Sequence, residues 1–156
     1  MPQRRMQEAI KGYKMGFKGK QSISKTQRGL IPLSWAAGSG YNVVVNLLLV
    51  EDGTDPDLSD SWGWTPLFWV ACNGHEAIVK LLLGTVQVKA DPKNIWGGTP
   101  LLWGTENGHE AIIKLLLATS QVEANLKNSQ YGQTLLLRAV QRRQKAIFKL
   151  LCEHIN

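Results

Sequence analysis

Apolar residues in this chain gather in short blocks of two kinds. In "NGHEAIVKLLL", residues 73–83, Ala77, Ile78, Leu81 and Leu82 have the spacing that lines one face of a helix. His75 and Glu76 open that helix, and Glu76 meets Lys80 one turn on as an outward i,i+4 pair. The block before it, "WGWTPLFWVAC", starts at a turn that Gly63 permits. Thr65 is placed as a helix N-cap and Pro66 at N1, where a missing N–H costs nothing. A short helix is predicted from there to about Cys72, stopped by a left-handed Gly74. Residues 87–98 read as a turn with short extended arms.

The whole unit recurs. "NGHEAIIKLLL", residues 107–117, matches the first block at ten of eleven letters, 34 residues later. Thr65-Pro66-Leu67 returns as Thr99-Pro100-Leu101, with Ile31-Pro32-Leu33 before and Thr134-Leu135-Leu136 after. Glu110 and Lys114 repeat the outward pair. The His-Glu-Ala-Ile element is worn to Tyr41-Asn42-Val43-Val44 in the first copy and to Gln144-Lys145-Ala146-Ile147 in the last. A fixed period of this length marks a stack of two-helix units. Glu8-Ala9-Ile10 lies two periods before Glu76-Ala77-Ile78, so residues 1–25 are either a degenerate leading half-repeat or a basic tail. Four units follow, at about 26–59, 60–93, 94–128 and 129–156.

Turn, Thr-Pro-Leu, short helix, Gly-His, longer helix and extended loop together resemble the ankyrin repeat. The wording "PLSWAA" and "GHEAIVKLLL" is similar to ankyrin repeats abundant in filamentous fungi, where such arrays often follow a nucleotide-binding signalling domain. The resemblance implies an all-α solenoid whose concave face binds a protein. The family usually places His after Thr-Pro-Leu, whereas this chain has Ser34, Phe68, Leu102 and Leu137. The next position holds Trp35, Trp69 and Trp103, then Arg138, so packing between units is expected to run through stacked tryptophans. The last unit lacks the proline and carries Arg143 where glycine belongs; its final helix is expected to leave Ile147, Leu150 and Leu151 exposed toward a following neighbour.

Composition agrees with a globular chain: 44% hydrophobic and 19% charged over 156 residues. No apolar run approaches a membrane span, and residues 1–20 are basic without the continuous apolar stretch of a secretory signal. Cys72 and Cys152 show no paired spacing and read as free thiols, so an intracellular location, cytoplasm or nucleus, is expected. Residues 1–28 hold eight Lys/Arg against one Glu. That basic head makes weak binding to nucleic acid or an anionic membrane surface, through residues 1–28, one alternative function; the other, which the resemblance implies, is a fragment of a longer ankyrin array from a signalling protein.

Catalytic chemistry finds no support. A zinc hydrolase helix needs His-Glu-x-x-His, and Val79 and Ile113 stand where the second His belongs. His75 and His109 are expected to be structural, bonding backbone groups of the neighbouring loop. No phosphate loop, dinucleotide glycine pattern or nucleophile elbow is present. Neither cofactor, metal, small-molecule substrate nor catalytic residue is expected, and the chain is expected to be monomeric. What remains is protein binding. By position in the ankyrin unit, contacts are expected from the turn tips Trp62, Trp64, Trp96 and Tyr131, and from the first-helix ends Asn73, Glu106, Asn107 and Arg142. Aromatic residues in a row at exposed tips are typical interface anchors.

Overall fold

The computed structural model describes residues 32–50, 54–122 and 134–155, which form eight helices. They come in four pairs: α1 (Pro32–Gly38) with α2 (Asn42–Leu49), α3 (Pro66–Asn73) with α4 (Glu76–Leu83), α5 (Pro100–Asn107) with α6 (Glu110–Leu117), and α7 (Leu135–Gln141) with α8 (Lys145–Ile155). The first helices stack on one another in one layer and the second helices in another. This is an all-α repeat fold. Its core is a ladder of equivalent positions: Leu33, Leu67 and Leu101 from the first helices, with Ile78, Ile112 and Ile147 from the second, are all buried, while in the last pair Leu136 is half-buried and Leu135, in the place of Pro100, is buried.

Local signals set the helix ends. Pro66 and Pro100 begin α3 and α5, and Gly74 and Gly108 end them in the left-handed conformation. The hydroxyls of Thr99 and Thr134 accept from the N–H of Leu102 and Leu137, both at 3.3 Å. Thr65 differs from the expectation. It holds the extended N-cap conformation, but its buried hydroxyl has no hydrogen-bond partner. Start of α3 therefore rests on Pro66 and the backbone.

The buried face of the second helices is rotated from the one expected. Ile78, Val79 and Leu82 are buried, whereas Leu81 is half-buried and Ala77 exposed. The physical reason is that α4 packs against α3 and also lies between α2 and α6. Burial therefore extends round to Val79, and the same holds for Ile113 in α6.

The last pair holds on by different means. Ile147 and Leu151, expected to be exposed, are buried, and Leu150 is half-buried, because α8 turns this stripe onto α6 and α7. Arg143 takes φ +56° in the slot that glycine fills at Gly40, Gly74 and Gly108. A left-handed conformation costs a residue with a Cβ roughly 1–2 kcal/mol. Across the junction, Glu106 bonds Arg138 at 2.9 Å and Arg142 at 2.7 Å, with its own side chain only 7% exposed. Arg143→Gly is expected to stabilise the protein by about 1 kcal/mol, since relief of that strain outweighs glycine's extra entropy. Paired thermal and urea unfolding of the two proteins measures it.

Candidate functional site

The turn tips are built on one buried side chain each. At the first described tip, Asp60 Oδ1 accepts from the N–H of Trp62 and of Trp64, both at 2.9 Å. One period later, Asn94 Oδ1 accepts from Trp96 at 3.1 Å and Gly98 at 2.8 Å. Each loop is closed again through backbone bonds, Gly63 to Asp60 O and Gly97 to Asn94 O. Successive tips are tied by the N–H of Ile95, which donates to Trp62 O at 3.1 Å. Gly63 is required here twice over. Its φ is +76°, and a Cβ would stand 3.0 Å from the backbone of Asn94. Burial pushes the Asp60 carboxyl above its usual pKa, and the backbone bonds of Trp64 and Trp62 only partly oppose it.

Trp64 lies under this loop rather than at its tip. It is 3% exposed, with its ring 4.7 Å from Trp69, 5.7 Å from Phe68 and 5.6 Å from Trp103. Trp64 therefore bridges its own pair to the next, and the indole contact between Trp69 and Trp103 runs through it. Its expected exposure is corrected for a steric reason. The equivalent position one unit on is Gly98, where a Cβ would lie 3.2 Å from Trp103 Nε1, so there the indole packs directly against backbone. Trp62 and Trp96 are half-buried and lean on this aromatic floor, as do Trp35 and Trp103.

The two histidines form joints between pairs. His75 Nε2 lies 3.1 Å from Gly38 O, and His109 Nε2 lies 3.0 Å from Cys72 O. A carbonyl only accepts, so Nε2 carries the proton in both. Each ring lies over the left-handed glycine of the preceding pair. A Cβ on Gly40 would come within 2.8 Å of His75, and one on Gly74 within 2.7 Å of His109. In the last pair Gln144 takes this place against Gly108. Among the described residues, no group of three His, Cys, Asp or Glu side chains is placed to hold a metal ion.

A family model for ankyrin repeats in three copies matches residues 7–92, 33–128 and 86–156. The chain belongs to the ankyrin repeat family. Comparison with curated proteins gives no match. Ankyrin repeats are generally protein–protein interaction modules, typically non-catalytic. No described helix is long and apolar enough to cross a membrane.

In this ankyrin array the contact residues expected from sequence divide into groups. Trp62 and Trp96 stand at successive tips, with Asn73 and Asn107 exposed at the ends of α3 and α5. Both amides donate back to their own helix, Asn73 to Trp69 O at 2.9 Å and Asn107 to Trp103 O at 3.0 Å. Glu106 and Arg142 are not independent contacts, because they are bound to each other. Cys72, at the same helix end, is buried, and burial pushes its thiol far up, which leaves it inert. Tyr131 lies outside the described residues. Sequence reading missed Asp60 and Asn94, although their 34-residue spacing was a usable signal.

Two measurements test these joints. His109→Gln is expected to cost about 1 kcal/mol, since Gln144 already serves in this slot, and His109→Leu about 2–3 kcal/mol because Cys72 O loses its donor. Chemical denaturation ranks the two. Asp60→Asn keeps the Oδ1 acceptor, as Asn94 does, and removes a buried charge. With a raised pKa the folded state holds the Asp60 proton more tightly than the unfolded chain. Ionisation therefore lowers stability as pH climbs through the carboxylate range, and the full penalty stands at neutral pH. Asp60→Asn should melt higher than the parent at pH 7, and the gap should close as pH falls below the unfolded carboxylate pKa of about 3.9.

Proposed function

We propose that this chain is a non-catalytic scaffold that grips a protein partner along the edge formed by Trp62 and Trp96, with Asn73 and Asn107 beside it. One observation carries the reading. Both indoles are half-buried on a rigid aromatic floor, and their backbone N–H groups are fixed by Asp60 and Asn94. Anchors held in place before binding lose little entropy when a partner arrives, and indoles are favoured as hot spots. The exposed side chains of Asn73 and Asn107 add polar groups beside them. By period, Tyr131 continues the row, and the exposed Ile95 adds apolar area next to Trp96. We read the module as an intracellular monomer whose wording resembles the repeats of filamentous fungi. The net charge of +7 over residues 1–28 supports the alternative, a weak and salt-sensitive attachment to nucleic acid or anionic lipid.

Trp62→Ala and Trp96→Ala are expected to cost the fold only about 1–2 kcal/mol each, because part of each indole already faces water. Trp64→Ala and Trp69→Ala should cost about 3–5 kcal/mol, as buried indoles do. Affinity capture with the intact chain, read by mass spectrometry, should yield a partner that the folded Trp62→Ala/Trp96→Ala double variant loses. Retention by that variant, together with loss on removing residues 1–25, would favour the basic head instead.

A further inference from the structure

The last helix pair differs from its siblings in a consistent direction. Where Trp35, Trp69 and Trp103 stand, it has Arg138; where Asn73 and Asn107 stand, Arg142; where Gly74 and Gly108 stand, Arg143; where Glu76 and Glu110 stand, Lys145. Four equivalent positions have become cationic. Glu106 engages Arg138 and Arg142. Arg143 and Lys145 are exposed and make no ion pair among the described residues. Lys149, one turn beyond Lys145, lies 3.7 Å from Glu153.

These cations border an apolar face. Leu137 is 43% exposed, Val140 56% and Phe148 38%. In the three preceding pairs the same three positions are buried throughout, as at Leu102, Thr105 and Ile113. There the following pair covers them. Leu137 and Val140 share one face of α7 by their i,i+3 spacing, and Phe148 stands on α8, which packs on α7. Arg143 follows Val140 by three residues and donates its N–H to the carbonyl of Val140 at 2.9 Å. Lys145 precedes Phe148 by three, one turn away on α8.

We infer that this exposed face of α7 and α8 docks an acidic amphipathic helix, with an apolar stripe on Leu137, Val140 and Phe148 and carboxylates facing Arg143 and Lys145. Shape follows from the fold: the covering element in every internal pair is helical. Charge selects the partner, because Arg143 and Lys145 stand where the other units carry glycine and glutamate, so the border of this face is cationic. A bare polyanion would satisfy the cations and leave Val140 in water, so the apolar component favours a peptide. A second copy of the chain would bring its own basic residues toward this face, against repulsion. The surface is separate from the tip edge, so the two readings stand or fall independently.

The probe is a fluorescent synthetic helix with leucine at i, i+3, i+4 and i+7 and flanking glutamates, set against the same peptide with lysine for every glutamate. Binding to the full chain is read by anisotropy at low salt and near 0.15 M. The glutamate peptide is expected to bind and to weaken with salt, and the lysine peptide to bind far less. Arg143→Gly/Lys145→Glu restores the residues of the sibling units, so this variant should fold at least as well as the parent. It should bind the glutamate peptide about tenfold more weakly. Val140→Ser, at an already exposed position, should weaken it as well. Equal binding of both peptides, or an unchanged affinity in the double variant, would overturn the proposal. So would displacement of the peptide by a single-stranded oligonucleotide whose own binding ignores Val140→Ser. Concentration-dependent self-association in sedimentation, abolished by Val140→Ser, would assign the face to a second copy instead.

Discussion

An imidazole laid across a glycine is the joint on which the stack depends. Each histidine spans the boundary between neighbouring pairs and ties a helix start to the carbonyl that ends a first helix in the pair before, Gly38 for His75 and Cys72 for His109. Those carbonyls have no partner within their own helix. The donor therefore has to come from the neighbour, and the glycine must lack a Cβ for the ring to approach. Capping, turn geometry and pair-to-pair spacing are satisfied together. Stability in such a stack is close to a sum of units and nearest-neighbour interfaces. A group serving both terms is felt along the whole array.

Tryptophan placement follows from the same spacing. Once the pairs are set, a gap opens beneath the first described tip, and Trp64 fills it against Trp69, Phe68 and Trp103. The tips can then be stiff without being large. A single carboxylate or amide oxygen at Asp60 or Asn94 holds two N–H groups, and Ile95 links one loop to the next. Asp60 does this at the cost of burying charge, whereas Asn94 performs it neutrally. For the proposed binding edge, indoles over a packed floor leave little order to be imposed by a partner.

Where the joint is lost, other forces replace it. The last pair has Gln144 for histidine and a strained Arg143 for glycine. Glu106 compensates by binding two arginines across the junction, and its own buried carboxylate depends on them for partners. Those arginines stand where tryptophan and asparagine stand in the other units, so aromatic packing has been exchanged for charge. The apolar face beyond them stays uncovered by the described residues, bordered by cations the fold itself does not use.

The period, the helix pairs, the glycine stops and the structural use of His75 and His109 were all legible in the sequence. Each depends on chemistry within a few residues, or on identical letters returning at 34, and both are visible along one dimension. Helix rotation was not legible: the choice of Val79 over Ala77 belongs to the neighbours on either side of α4. Nor was the depth of Trp64, which looks like its tip companion Trp62 in the sequence and is told apart from it only by its packing on Trp69 and Trp103. Glu106 and Arg142 read as two surface residues, because they lie 36 positions apart and meet only when the pairs stack. Local backbone preference is written residue by residue. Burial and pairing across units are properties of surfaces that exist only after the units have packed.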